Sequence, residues 1–177
     1  MSLLMPLLLM REQSNWRKLL VNLQETLRQA KNTLTSHHIA DAHLEAELLL
    51  MHALGIGRTE LYLRLEQPIT SSEAAKFWHL VQQRLHHKPT AYILKQCQFY
   101  GIDLYIDSRA LIPRPESELL VEEALEFTSR HFPSGVPCLI ADVGTGSGAI
   151  AIALALHLPQ AEIYAIDISA AALEVAG

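Results

Sequence analysis

The sequence predicts an α/β protein in two parts: an N-terminal helical bundle, then the opening βαβ unit of a mostly parallel, Rossmann-like sheet. Three observations carry that expectation. Apolar residues recur at three- and four-residue steps through the first half of the chain. The pattern breaks at Pro89, after which short apolar runs and prolines take over. Finally, Leu139 to Ala153 reads as an apolar strand, a turn holding Gly144, Gly146 and Gly148, and the first turns of a helix.

Composition bounds the rest. The 177 residues are 50% hydrophobic and 19% charged, enough for one ordinary domain or two small ones with a real core. A net charge of −5 argues against a basic footprint along the chain, so no nucleic-acid partner is expected. Cys97 and Cys138 are far apart and form no C-x-x-C pattern, which suits free thiols in a reducing, cytoplasmic setting. The histidines form no H-x-x-x-H pair beside an acid, and no metal is expected. The apolar run Leu3–Met10 lacks a preceding cation and a small-residue cleavage site. It is also far shorter than the ~20 residues that span a bilayer, so no membrane partner is expected. Residues 1–13 read as a mobile extension, with Met10 as an alternative initiator.

Trp16, Leu19, Leu20, Leu23, Leu27, Ala30 and Leu34 form one stripe on a long first helix, with Ser14 as its N-cap. Asp41 caps a second helix that turns Ala42, Ala46, Leu49, Leu50 and Ala53 inward, and Gly55 and Gly57 stop it. Thr59 opens a short helix through Leu65, ended by Pro68. Thr70-Ser71-Ser72-Glu73 is a capping box for a helix carrying Ala74, Phe77, Trp78, Val81 and Leu85, halted at Lys88-Pro89. Together these make a bundle over 14–88, with Trp16 and Trp78 in its core. Ala91–Leu94 and Gln98–Ile106 read as two strands of a hairpin linker over 89–110. Leu111–Glu118 starts extended, because each proline disfavours helix in its predecessor. A helix follows through Phe127, and a loop over Pro133–Pro137 delivers the chain to the glycine motif, within a second domain over 111–177.

Asp167 closes the next apolar stretch, roughly 20 residues past Gly144, the spacing of a nucleoside-binding βαβ unit. Glycines let the backbone approach a ligand, and the helix N-terminus offers free N–H groups to an anionic end. Asp167 can accept both hydroxyls of a ribose, and Asp142 can shape the turn. Gly144, Gly146 and Ala149 also satisfy the looser dinucleotide pattern, so an NAD-binding unit stays open. Asp142 placed two residues before a G-x-G-x-G turn resembles motif I of class I S-adenosylmethionine-dependent methyltransferases. That resemblance implies S-adenosylmethionine held by Gly144, Thr145, Gly146, Ser147 and Gly148, with Asp167 on the ribose.

A longer resemblance covers nearly all of residues 14–177. A helical N-terminal part is followed by Pro89-Thr90-Ala91-Tyr92-Ile93-Leu94, Phe99-Tyr100-Gly101, Leu111-Ile112-Pro113-Arg114-Pro115-Glu116-Ser117-Glu118 and then motif I. This order is similar to the HemK/PrmC family. It implies N5-methylation of the glutamine in the Gly-Gly-Gln loop of class 1 peptide chain release factors, with the bundle recognising the substrate. It also implies that Arg114, Pro115 and Glu116 line a cofactor or substrate pocket. On the residues alone, Glu116 and Glu118 equally suit the N-terminus of the following helix.

There are departures. Lys95 stands where the family usually has glycine, and Ser117 where threonine is common. The family's catalytic Asn-Pro-Pro-Tyr motif is not found in these residues: Asn15, Asn22 and Asn32 all fall in the first helical segment, and no Asn-Pro occurs. No catalytic residue is therefore carried onto this chain. An amide nitrogen is a weak nucleophile that must be positioned and met by fixed dipoles. The 177 residues are thus expected to be inactive alone, to hold only part of the methyltransferase sheet, and to self-associate. The second expectation is a module that docks a release factor without chemistry.

Overall fold

The computed structural model describes residues 21–132 and 136–177. The expectations for Ser14, Trp16, Leu19, Leu20, the 1–13 extension and most of the Pro133–Pro137 loop lie outside these. The chain divides into two units, Met1–Thr90 and Ala91–Gly177.

The first unit is helical. α1 spans Leu23–Ser36 and buries Leu23, Leu27, Ala30 and Leu34 on one face. It does not continue the stripe expected from Trp16. Val21–Leu23 is instead bonded to 67–69: Leu23 donates N–H to the Gln67 carbonyl at 3.0 Å, and Ile69 to that of Val21 at 3.1 Å. Asn22 consequently becomes the N-cap, its side chain accepting from the Glu25 N–H at 2.9 Å.

α2 spans Ala42–Leu54 and buries all five expected apolar residues. Asp41 occupies its N-cap but is left-handed, with φ 52°, and its side chain makes no capping bond, so the capping role is corrected. α3, Arg58–Leu63, starts one residue earlier and stops two residues sooner than the sequence suggested. α4, Ser71–Leu85, opens on the expected capping box: Glu73 N–H donates to Thr70 Oγ1 at 3.2 Å, and Thr70 N–H to Glu73 Oε2 at 2.9 Å. Trp78 lies half-buried with its ring 5.4 Å from that of Phe77.

Two carboxylates on α2 tie the bundle together. Glu47 is buried, which costs free energy unless its oxygens find partners. Tyr62 donates its hydroxyl to Glu47, Arg58 lies 3.3 Å away and His43 3.2 Å. Glu45 receives Arg84 from α4 at 2.5 Å and the Thr90 hydroxyl at 3.0 Å.

The second unit opens with two corrections. Ala91–Leu94 is not a strand; α5 spans Thr90–Leu94. The β propensity of Tyr92 and Ile93 yields to tertiary anchoring, since Ile93 is buried and the Tyr92 hydroxyl donates to the Ala110 carbonyl at 2.9 Å. The hairpin instead lies within the run read as a single strand: β1, Gln96–Phe99, pairs antiparallel with β2, Ile102–Tyr105. Tyr100 and Gly101 form its two-residue turn with φ 50° and 73°, both left-handed, as a type I′ turn requires.

A 3₁₀ turn at Pro115–Ser117 leads into α6, Glu118–His131. β3, Leu139–Val143, pairs in parallel with β4, Glu162–Ile166, with Ile140 opposite Ile163. α7, Ala149–His157, makes the crossover, and α8, Ala170–Ala176, follows β4. Phe99, Leu104, Val121, Ala153 and Leu154 form one core, against which Ile140 and Ile163 pack. Ile106, Ala110, Ala172 and Val175 form a second, which holds Ile112. The opposite face of the strand pair is open, with Leu139 73% and Val143 77% exposed. Cys97 and Cys138 are both free. Among the described residues no helix is long and apolar enough to cross a membrane, and no group of side chains is arranged to hold a metal ion.

Candidate cofactor site

The glycine turn is fixed from both sides. Asp142, at the end of β3, accepts the Thr145 hydroxyl at 2.6 Å, which is the turn-shaping role its position suggested. Gly144 and Thr145 donate their N–H groups to the Ile166 carbonyl at 2.7 and 3.0 Å. Gly148 donates to the Thr145 carbonyl at 2.9 Å.

Asp167 is part of the same scaffold. Its Oδ2 accepts the Gly146 N–H at 2.8 Å and its Oδ1 the Ser169 N–H at 2.9 Å. These backbone bonds, Ser169 first and then Gly146, hold its carboxyl below the usual aspartate range. A carboxylate has about four lone-pair sites, so capacity remains for a diol. The N–H groups of residues 144, 145, 146 and 148 are all engaged within the protein, so these four positions offer a ligand room rather than free donors.

That room is real. A Cβ placed on Gly144 or Gly146 would meet nothing within 4 Å. Gly148 differs: its φ is 78°, and a Cβ there would stand 3.0 Å from the Ala176 Cβ. Its glycine serves the packing of α8 as well as the turn.

Arg114, Gly144, Thr145, Gly146 and Ser147 converge on one cleft of about 170 Å³. Of the other residues singled out in the sequence, Pro115, Glu116, Gly148 and Asp167 are not in its lining. Phe99, Ile112, Ser117 and Ile150 line it without having been assigned to a pocket from the sequence. Phe99 had a signal in the Phe-x-Gly step, and Ile112 and Ser117 in the Leu111–Glu118 segment; Ile150 had none of its own. The 111–117 segment is held over the turn by Ile112 in its apolar cluster and by the Ser117 N–H donating to the Arg114 carbonyl at 3.0 Å. Glu118 also does more than face a helix N-terminus: its Oε1 accepts the Tyr100 N–H at 2.8 Å, latching the hairpin turn to α6.

A parallel βαβ unit with a glycine turn and an acid just past its second strand is a Rossmann-like arrangement, here preceded in sequence by a helical unit. Comparison with known proteins narrows the class. Residues 25–94 match the PrmC N-terminal domain, and residues 117–177 match the methyltransferase small domain. The chain is 43% identical over 139 residues to the release factor glutamine methyltransferase of Chlorobaculum tepidum, covering 78% of this chain and 47% of that protein. Similar likenesses hold for proteins of the same name from Koribacter versatilis, at 40% over 155 residues (85% of this chain, 54% of that one), and Burkholderia pseudomallei, at 42% over 135 (75% and 45%). The chain belongs to the HemK/PrmC family of methyltransferases. It spans about half the length of the curated relatives it matches.

Proposed function

We propose that the cleft binds the amino-acid end of S-adenosylmethionine and that Asp167 receives its ribose. The supporting observation is the convergence of the Pro113-Arg114-Pro115 segment and the glycine turn on one cleft, beside a turn anchored by Asp167. Pockets that enclose a whole drug-sized ligand run to roughly 300–1,000 Å³, so a cleft of about 170 Å³ suits one end of the cofactor. The open space over Gly144 and Gly146 fits a ligand lying against the backbone. When bound, the cofactor supplies a methyl group made electrophilic by its sulfonium. The residues of this chain bind and orient it: the turn gives close approach, Phe99 and Ile150 give apolar walls, and Asp167 gives acceptors for hydroxyls.

In a protein of the relatives' length, this site serves methyl transfer to the glutamine of the Gly-Gly-Gln loop in class 1 release factors, in the cytoplasm. Residues 1–177 alone bind but do not transfer. They contain no Asn-Pro, and nothing in them matches the motif that orients the amide. Losing such positioning forfeits about 7–11 kcal/mol of barrier lowering. The test is radiolabelled methyl incorporation into a purified release factor and its Gln→Ala variant, with calorimetry of S-adenosylmethionine and NAD on the 177-residue chain. We expect cofactor binding, no NAD binding and no labelling. Tight NAD binding would replace the methyltransferase reading, and glutamine-dependent labelling would place catalytic residues within this chain.

A further inference from the structure

We infer that Glu118 is a positioning residue of the cofactor site: its carboxylate clasps the β1–β2 turn and thereby fixes where Phe99 stands in the cleft wall. This rests on reading the cleft as the S-adenosylmethionine site, and names a residue outside the lining on which that site depends.

Phe99 ends β1 and Ser117 ends the 3₁₀ turn, and both line the cleft. The residue that follows each is a partner in one hydrogen bond, in which the Tyr100 N–H donates to Glu118 Oε1 at 2.8 Å. Among the described residues no other hydrogen bond joins the hairpin to the 3₁₀ turn or to α6. Glu118 has no ion-pair partner among them either, so no cation competes with the amide for its charge. Glu118 itself is not in the cleft lining. Whatever it does for a ligand, it does through its neighbours.

The turn needs a clasp. Tyr100 is left-handed, with φ 50°, and such a conformation costs an aromatic residue free energy and persists where its surroundings impose it. Two neighbours do so. Glu118 takes its amide, and His157 of α7 meets its ring edge to face at 5.2 Å between centroids. A hydrogen bond to an ionised carboxylate is the stronger class, and this one is partly buried. Phe99 is 1% exposed, packed in one core with Val121 and Leu154, and its backbone lies one residue from the clasp. Releasing Tyr100 lets its φ relax and shifts the Phe99 ring against the ligand.

Calorimetry of S-adenosylmethionine on the 177-residue chain tests this, at a temperature where every variant keeps the wild-type circular dichroism spectrum. Glu118→Ala is expected to bind about three- to ten-fold more weakly. Glu118→Gln retains an acceptor oxygen at the same reach and is expected to recover most of that loss. Should the alanine variant not fold, Glu118→Asp, whose carboxylate falls one methylene short, carries the same expectation. Leu125→Ala, two turns along α6, trims the same core outside the cleft lining. It is expected to lower the melt and leave the affinity unchanged. Hydrogen exchange at the Tyr100 amide reads the clasp directly: slow in the wild type and the glutamine variant, fast where the clasp is lost. Full affinity with a fast-exchanging Tyr100 amide, or an equal loss in Leu125→Ala, would overturn the role of Glu118 and leave the cleft as the cofactor site. A wild-type chain that does not bind S-adenosylmethionine would overturn the cofactor reading and this inference together.

Discussion

At Asp167 one side chain carries two tasks, holding Gly146 in the turn and offering acceptors to a ribose. Its depressed pKa means that its contribution to stability is fully present above the ordinary aspartate value of about 4, and is lost as pH falls through the lower folded value. The Gly146 amide resonance should stay fixed from about pH 7 to about pH 4 and move only below that. Asp167→Ala removes both tasks, whereas Asp167→Asn retains an acceptor oxygen. We expect the alanine variant to bind S-adenosylmethionine about ten-fold or more weakly by calorimetry, and the asparagine variant to lose less. Lys95 is a second informative residue. It lies directly after α5 with φ 56°, at the position where the family resemblance expects glycine. A left-handed conformation costs an ordinary residue about 1–2 kcal/mol, partly offset by the unfolded-state entropy that glycine adds. Lys95→Gly should therefore raise stability by about 0.5–1 kcal/mol, read as a higher urea midpoint. The departure at Lys95 was visible in the sequence; its backbone reason was not.

Among the elements, those with local causes were legible and those with tertiary causes were not. The α4 capping box is a four-residue signal, and the structure forms both of its bonds. Thr70→Ala should cost about 1 kcal/mol in denaturant unfolding. α2 shows all five expected inward residues because a periodic stripe needs no partner to be recognised. α5 was read as a strand because four apolar residues carry no usable period, and what decides them is the Tyr92 bond to Ala110, eighteen residues on. The hairpin was misplaced for a related reason. A left-handed Tyr100 beside Gly101 lacks the Asn or Asp that advertises a type I′ turn, so the run from Gln98 to Ile106 looked continuous. The first helix was overextended because the stripe reaches back to Trp16, while the bonding of 21–23 to 67–69 stops it. In the site, the glycine turn and Asp142 were legible. The inward lean of Ile112 and Ser117 and the reach of Glu118 to Tyr100 were not, since no local pattern encodes them.

At the scale of the molecule, the two units differ in how completely they cover their apolar surface. Helices α1, α2 and α4 bury their apolar faces within the first unit. Residues 1–90 should therefore show a cooperative helical melt by circular dichroism and remain monomeric. The β3–β4 pair has one face covered, while Leu139, Val143, Tyr164 and Ile166 stand open on the pair, as does Ile168 beyond it. An uncovered parallel pair presents both an apolar patch and unpaired edges. Residues 1–177 should associate with rising concentration in light scattering, and Val143→Lys should weaken that association. A monomer at all concentrations would show that this face is not adhesive.

The stitched glycine turn has a consequence for the kinetics of capture. Its amides at 144, 145, 146 and 148 are bonded before any ligand arrives, to Ile166, Asp167 and Thr145. Hydrogen exchange at these amides should be slow in the free chain and nearly unchanged on binding, because the loop is set when β4 docks beside β3. Ligand association then demands no loop ordering, and differences in affinity among variants should appear in the rate of departure rather than of arrival.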